Sequence, residues 1–227
     1  MPEPSAEKIG IDAGATRVSA LLLVPPRAAA CFVFAHGAGA GMAHPFMAAV
    51  SSGLAERAIA TLRYQFPYME KRTKRPDPPK IAHAAVRAAV AQARRQLPEL
   101  PLIAGGKSFG GRMTSQAQGL APLDGVVGLA FFGFPLHPAG KPSRERAAHL
   151  ADVTIPMLFL QGTRDALADL AELKPVCEGL GHRATLKLFA DADHSFHVPA
   201  RTGRKDAEVL GEALDAFADW ANRITIE

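Results

Sequence analysis

Residues 102–111 read Leu-Ile-Ala-Gly-Gly-Lys-Ser-Phe-Gly-Gly, and this stretch decides the fold. Leu102–Gly106 is a short apolar run of the kind that forms a buried strand, and a helical pattern begins at about Phe109. Between them lies Gly106-Lys107-Ser108-Phe109-Gly110, a G-x-S-x-G sequence at a strand-to-helix turn. A serine there has to occupy a strained backbone position so that its hydroxyl projects above the sheet. Gly106 and Gly110 are then required, because side chains at either place would collide with the neighbouring strand and helix. The bland reading is a glycine-rich turn whose serine caps an ordinary helix.

Outward from this turn, short apolar runs alternate with helical patterns. On the N-terminal side, Lys8–Asp12 and Arg17–Val24 form a hairpin turning at Ala13–Thr16. Ala30–Ala35 (ACFVFA) is apolar throughout, as expected for a strand covered on both faces, and Pro45–Arg57 and Ile59–Tyr64 follow as helix and strand. Pro67–Pro79 holds four prolines and the basic residues Lys71, Arg72, Lys74 and Arg75, and reads as a loop. Pro78–Leu97 is a helix with Ile81, Ala85, Ala89, Val90, Ala93 and Leu97 in one stripe. On the C-terminal side come strands Gly125–Phe132, Met157–Gln161 and Thr185–Phe189, with helices Ala168–Leu180 and Lys205–Arg223. The last helix keeps Leu210, Leu214, Phe217 and Ala221 together. Such alternation predicts one α/β domain over residues 1–227. Its doubly wound, mostly parallel sheet has an antiparallel N-terminal edge. Ligands of such sheets bind beyond the carboxyl ends of the strands.

A serine hydroxyl becomes nucleophilic when a base takes its proton, and the base needs an orienting carboxylate. Both residue types follow later strands. Met157–Gln161 runs into Gly162-Thr163-Arg164-Asp165, and Thr185–Phe189 into Asp191-Ala192-Asp193-His194. Singly, a loop aspartate is a turn former and a loop histidine is solvated. Jointly, Ser108, Asp165 and His194 at three strand ends make a catalytic triad, with assistance from Asp191 or Asp193 left open. The oxyanion formed by attack needs N–H donors, expected from Phe109 and from Ala38 in the loop His36-Gly37-Ala38-Gly39-Ala40-Gly41. Gly37 or Gly39 would serve instead if the loop path differs, and both are expected to line the substrate site. His36 reads as a prop of this loop. Phe134 and Leu136, in the Phe134–His137 segment, either line the pocket wall or cover the sheet edge. About 20 residues separate that segment from Met157, too few for a cap domain.

The chain order serine, acid, histidine is that of the α/β-hydrolases. The segments FAHGAGAGMAHPFM, LRYQFPYMEKRTKRPDPP, GGKSFGGRM, FFGFPLHPAGKP, LFLQGTRD and DADHSF spread over residues 32–196. Through them the chain resembles the α/β-hydrolase superfamily. More narrowly, it is similar to the small dienelactone-hydrolase-like group that includes the hydrolase-like subunit of the eukaryotic NSL histone-acetyltransferase complex. The resemblance implies a cofactor-independent hydrolase fold with Ser108, Asp165 and His194 as its triad, and says little about substrate. Dienelactone hydrolases proper use a cysteine nucleophile where this chain has Ser108, so their substrate does not transfer.

Composition sets the remaining bounds. Of 227 residues, 48% are hydrophobic and 21% charged, an ordinary globular balance. Stretches such as Ser19–Pro26 and Ala30–Ala35 fall short of the roughly 20 apolar residues of a membrane helix. The opening MPEPSAEKIG carries no apolar segment of signal-peptide type, and two distant cysteines, Cys31 and Cys177, read as reduced buried thiols, so a cytoplasmic setting is expected. The net charge of +4 and 7% aromatic content do not point to nucleic acid. A P-loop fails because Pro101 stands at its first glycine, and a dinucleotide fingerprint fails at Met42. His194 and His197 lack a third clustered ligand, so neither metal nor cofactor is expected. The expected activity is hydrolysis of an ester, thioester or related acyl bond of a small or surface-presented substrate. The alternative is a non-catalytic interaction module on the same fold. Lys71–Arg75 reads as a solvated loop or as a steering patch for anionic acyl substrates or an acidic partner.

Overall fold

The computed structural model describes residues 6–14, 16–73 and 75–225. Met1–Ser5 of the polar opening, Ala15 of the expected hairpin turn and Lys74 of the basic cluster lie outside them. Eight strands form one sheet: β1 (Glu7–Asp12), β2 (Arg17–Leu23), β3 (Ala30–Ala35), β4 (Ile59–Tyr64), β5 (Leu102–Lys107), β6 (Val126–Phe132), β7 (Met157–Gly162) and β8 (Ala184–Phe189). Their spatial order is β1-β2-β4-β3-β5-β6-β7-β8. β1–β2 and β2–β4 pair antiparallel, and every pairing from β4 to β8 is parallel. The helices are α1 (Pro45–Ala55), the single turn α2 (Pro67–Glu70), α3 (Pro79–Gln96), α4 (Phe109–Leu120), α5 (Leu170–Leu180) and α6 (Asp206–Thr225).

Side chains alternate across a strand, so the central strands feed two apolar layers. Cys31, Val33 and Ala35 of β3 face the layer of α3, α4 and α5, whereas Ala30, Phe32 and Phe34 face α1 and α6. Every residue of β3 and β4 is buried, which explains their near-unbroken apolar sequences. On the α6 side Phe32 lies 4.8 Å from both Phe34 and Phe217, ring centre to ring centre. On the other side Phe131 packs on Phe159 at 4.9 Å.

Two helical stripes differ from expectation. The buried face of α3 is Ala82, Ala85, Val86, Ala89, Val90 and Ala93, whereas Ile81 is 43% exposed. Ile81 belongs to the opening turn, one position (about 100° of rotation) away from Ala82, where the buried stripe begins. In α6 the buried side adds Val209, Ala213, Ala218 and Trp220, while Leu210 is half-buried. The segment between β6 and β7 contains a 3-10 turn, Glu145–Asp152, and no cap domain.

Candidate active site

Ser108 stands between the last residue of β5 and the first of α4, with φ 51° and ψ −117°. This is unfavourable backbone for a residue with a Cβ, costing about 1–3 kcal/mol. It persists because the turn is wedged against β3. A Cβ at Gly106 would stand 2.4 Å from the Ala35 carbonyl oxygen, and one at Gly110 would stand 2.6 Å from the Ala35 and His36 oxygens. Only glycine lets strand and helix approach this closely.

Asp165 follows β7 and its side chain is fully buried. One carboxylate oxygen accepts the Leu167 N–H at 2.8 Å, and the other accepts Gln161 Nε2 at 2.5 Å and meets His194 Nδ1 at 2.6 Å. A carboxylate so supplied with donors is held in one rotamer. Gln161 also accepts the Phe134 N–H at 2.9 Å, fastening the acid to the end of β6. Sequence reasoning missed this residue, although a lone amide ending the apolar run Met157–Leu160 is itself a signal, since a buried polar group needs partners.

His194 lies in the loop after β8, and the question left open about its acidic neighbours has a plain answer. Asp193 accepts the Ser195 and His197 N–H groups at 2.7 and 3.0 Å, and so forms the loop. Asp191 is tied through its own N–H to Thr163 Oγ1 at 2.9 Å. Neither carboxylate bonds the imidazole. His197 turns away to Asp206 at 2.9 Å.

Ser108 and His194 border one cavity of about 410 Å³, whose wall includes Gly37, Ala38, Phe46, Met47 and Leu167. No hydrogen bond joins the serine to the imidazole, and His194 Nε2 is buried without a partner among the described residues. The expected serine–histidine hydrogen bond is therefore not made. Such contacts are often long until substrate tightens them.

The loop after β3 is fixed by His36. Its Nδ1–H donates to the Gly37 carbonyl at 2.7 Å, and its Nε2 accepts the Phe66 N–H at 3.1 Å. Burial pushes this imidazole down to about 4, so it is neutral at physiological pH. The Gly39 N–H is spent on the Tyr68 hydroxyl at 2.9 Å, and Gly39 does not border the cavity, contrary to expectation. Ala38 and Phe109 keep N–H groups with no acceptor among the described residues. Gly37 lies against the elbow: a Cβ there would be 3.8 Å from Ser108 Cβ.

Phe134 and Leu136 are not on the pocket wall. Both are fully buried in the core on the α4 side, Phe134 at 5.2 Å from Phe131 and 5.8 Å from Phe159. The chain turns at Gly133 (φ 71°), and beyond it these residues pack into the core layer. Lys71 and Arg75 line a different cavity of about 490 Å³, with Tyr68, Thr73 and Asp77.

An acid after β7 bonds a histidine after β8, the histidine borders one cavity with a strained serine after β5, and this order of strand ends is that of the α/β-hydrolase class. The alpha/beta hydrolase domain family matches residues 28–222, and the chain belongs to that family. Its fold is shared with a dienelactone hydrolase from Anabaena variabilis (TM-score 0.79, 20% identity, 98% of this chain and 99% of that one). A lidless α/β serine hydrolase from Xanthomonas campestris is similar at TM-score 0.74 and 21% identity, with 95% of each chain covered. So is the esterase domain of a Rhodothermus marinus protein, at TM-score 0.73 and 16% identity over 97% and 99%. Among the described residues no helix is long and apolar enough to cross a membrane.

Proposed function

We propose that the protein is a serine hydrolase of carboxylic esters or thioesters, working through an acyl-enzyme. The observation that carries this reading is the 2.6 Å contact of buried Asp165 with His194, which borders the same cavity as the strained Ser108. Ser108 Oγ attacks the acyl carbonyl while His194 Nε2 takes its proton, and Asp165 holds the imidazole through Nδ1 and stabilises its charged form. The oxyanion is received by the Phe109 and Ala38 N–H groups. Collapse expels the alcohol or thiol, which takes the proton from His194. Water, deprotonated by the same imidazole, then releases the acid and restores the serine.

The wall formed by Ala38, Phe46, Met47 and Leu167 suits a small apolar acyl group or one presented on a surface. No cofactor takes part in this scheme. Within the family we place the chain in the dienelactone-hydrolase-like group related to the NSL-complex subunit, with Ser108 where dienelactone hydrolases proper have a cysteine. Two free, buried thiols, each pushed up to about 12 by burial, support a reducing, cytoplasmic setting.

The test is covalent labelling by a fluorophosphonate probe. Labelling that disappears in Ser108→Ala supports the hydrolase, and a folded protein that takes no label favours an interaction module. A panel of p-nitrophenyl esters varied in length and charge then defines the acyl preference.

A further inference from the structure

Lys107, the first of the two variable residues of the G-x-S-x-G turn, is not used by the chemistry above. It borders the same cavity as Ser108, and its ammonium donates a hydrogen bond to the His194 carbonyl oxygen. There it lies 5.5 Å from the ring centre of Phe46 and 5.6 Å from that of Phe196. No carboxylate pairs with it among the described residues. Burial pushes the ammonium down to about 8, opposed by the fields of Asp165 and Asp193. Burying a cation without a salt bridge is costly, so such a group calls for a structural or functional reason.

The reason is visible in what Lys107 connects. Ser108 sits on the rigid end of the sheet, whereas the other long-range hydrogen bonds of the His194 loop run to the segment after β7, through the Asp191 N–H to Thr163 Oγ1, the Arg164 N–H to the Ala192 carbonyl and the imidazole to Asp165. We propose that Lys107 is a positioning residue whose ammonium fastens the His194 carbonyl to the nucleophile turn and so keeps the imidazole over Ser108. A second, independent feature supports this. A Cβ at Gly133 would stand 3.0 Å from Lys107 Nζ and 3.2 Å from His194 Nδ1. The chain passing between ammonium and imidazole is therefore bare, and the two side chains share the space this leaves. Because the nucleophile and its tether are adjacent in sequence, any shift of the turn carries the histidine loop with it.

The proposal rests on the hydrolase reading, and its test separates the two. Lys107→Met keeps a straight chain of similar length and suits the aromatic surroundings, so it is expected to fold. Steady-state hydrolysis and fluorophosphonate labelling should slow by about 100-fold, as when a catalytic group is misplaced by about 1 Å. KM should stay unchanged for neutral and anionic esters alike. Independently of turnover, the downfield proton resonance of the Asp165–His194 hydrogen bond should be sharp in the wild-type chain and broadened or lost in the variant. Lys107→Gln, polar but too short, provides a second variant with the same expected losses.

An unchanged resonance together with unchanged labelling in either folded variant overturns the tether. A selective rise in KM for anionic esters overturns it too, since Lys107 would then be a substrate-carboxylate site. If the wild-type chain takes no label and hydrolyses nothing, the hydrolase reading fails, and the resonance comparison still decides the role of Lys107.

Discussion

Asp165 meets His194 Nδ1 at 2.6 Å from a side chain with no solvent exposure, although 29 residues separate the two in sequence. The imidazole proton is thereby placed on Nδ1, which leaves Nε2 as the basic nitrogen. Replacing Asp165 by Asn keeps the shape and the Leu167 contact but offers a donor where the imidazole also has one. The imidazole would have to adopt the wrong tautomer. A fall of about 10⁴-fold in kcat is expected, with the fold intact by circular dichroism.

The elbow depends on backbone contact, which yields a stability prediction that needs no substrate. Gly106→Ala puts a methyl carbon where the Ala35 oxygen is 2.4 Å away, and neither strand can retreat without breaking the parallel ladder. Urea unfolding should show a loss of about 1–3 kcal/mol or more, or no folded product. A fully stable Gly106→Ala protein would mean that β3 and the elbow are further apart than described.

His36 sets an acid limb. Its folded value is held at about 4 by burial against 6.5 when unfolded, so below 6.5 the unfolded chain binds the proton that the folded one refuses. Stability therefore falls as pH drops from 6.5 towards 4, by about 3 kcal/mol from this one group. His149, also held at about 4 by burial, adds in the same direction. His36→Asn should lower stability at neutral pH and make the acid decline shallower, measured as melting temperature against pH.

Lys107 has the opposite end of the scale. With its ammonium near 8 in the fold and 10.5 when unfolded, the unfolded chain holds more protons between those values. Wild-type stability should accordingly gain on that of Lys107→Met as pH rises from 8 to 10.5, by up to about 3 kcal/mol. At pH 7 the variant should melt no lower than the wild type while turning over more slowly, the trade expected where a site carries a destabilising group.

The basic loop makes a weaker claim on the site than its sequence suggested. Lys71 and Arg75 border their own cavity and not the one at Ser108, so a solvated loop and long-range steering of anionic substrates are the two readings an experiment has to separate. Neutralising Lys71, Arg72, Lys74 and Arg75 should lower kcat/KM for anionic esters more than for neutral ones, and added salt should erase the difference. Equal effects on both ester classes would retire the idea.

Much of this protein could be read from its residues alone, because short-range sterics act within a few positions. The sharp turn at Ser108, the need for glycine at 106 and 110, the buried runs of β3 and β5 and the strand-end positions of Asp165 and His194 all follow from local backbone preference and periodicity. Tertiary packing decided what local rules leave free. It sent Phe134 and Leu136 inward instead of to the pocket, committed the Gly39 N–H to Tyr68, began the α3 stripe at Ala82, and recruited Gln161 and Lys107 as supports. The direction in which a side chain leaves its strand end depends on which groups from distant segments occupy the space beyond it. For Lys107 that partner is 87 residues away, a separation at which sequence spacing carries no geometric information.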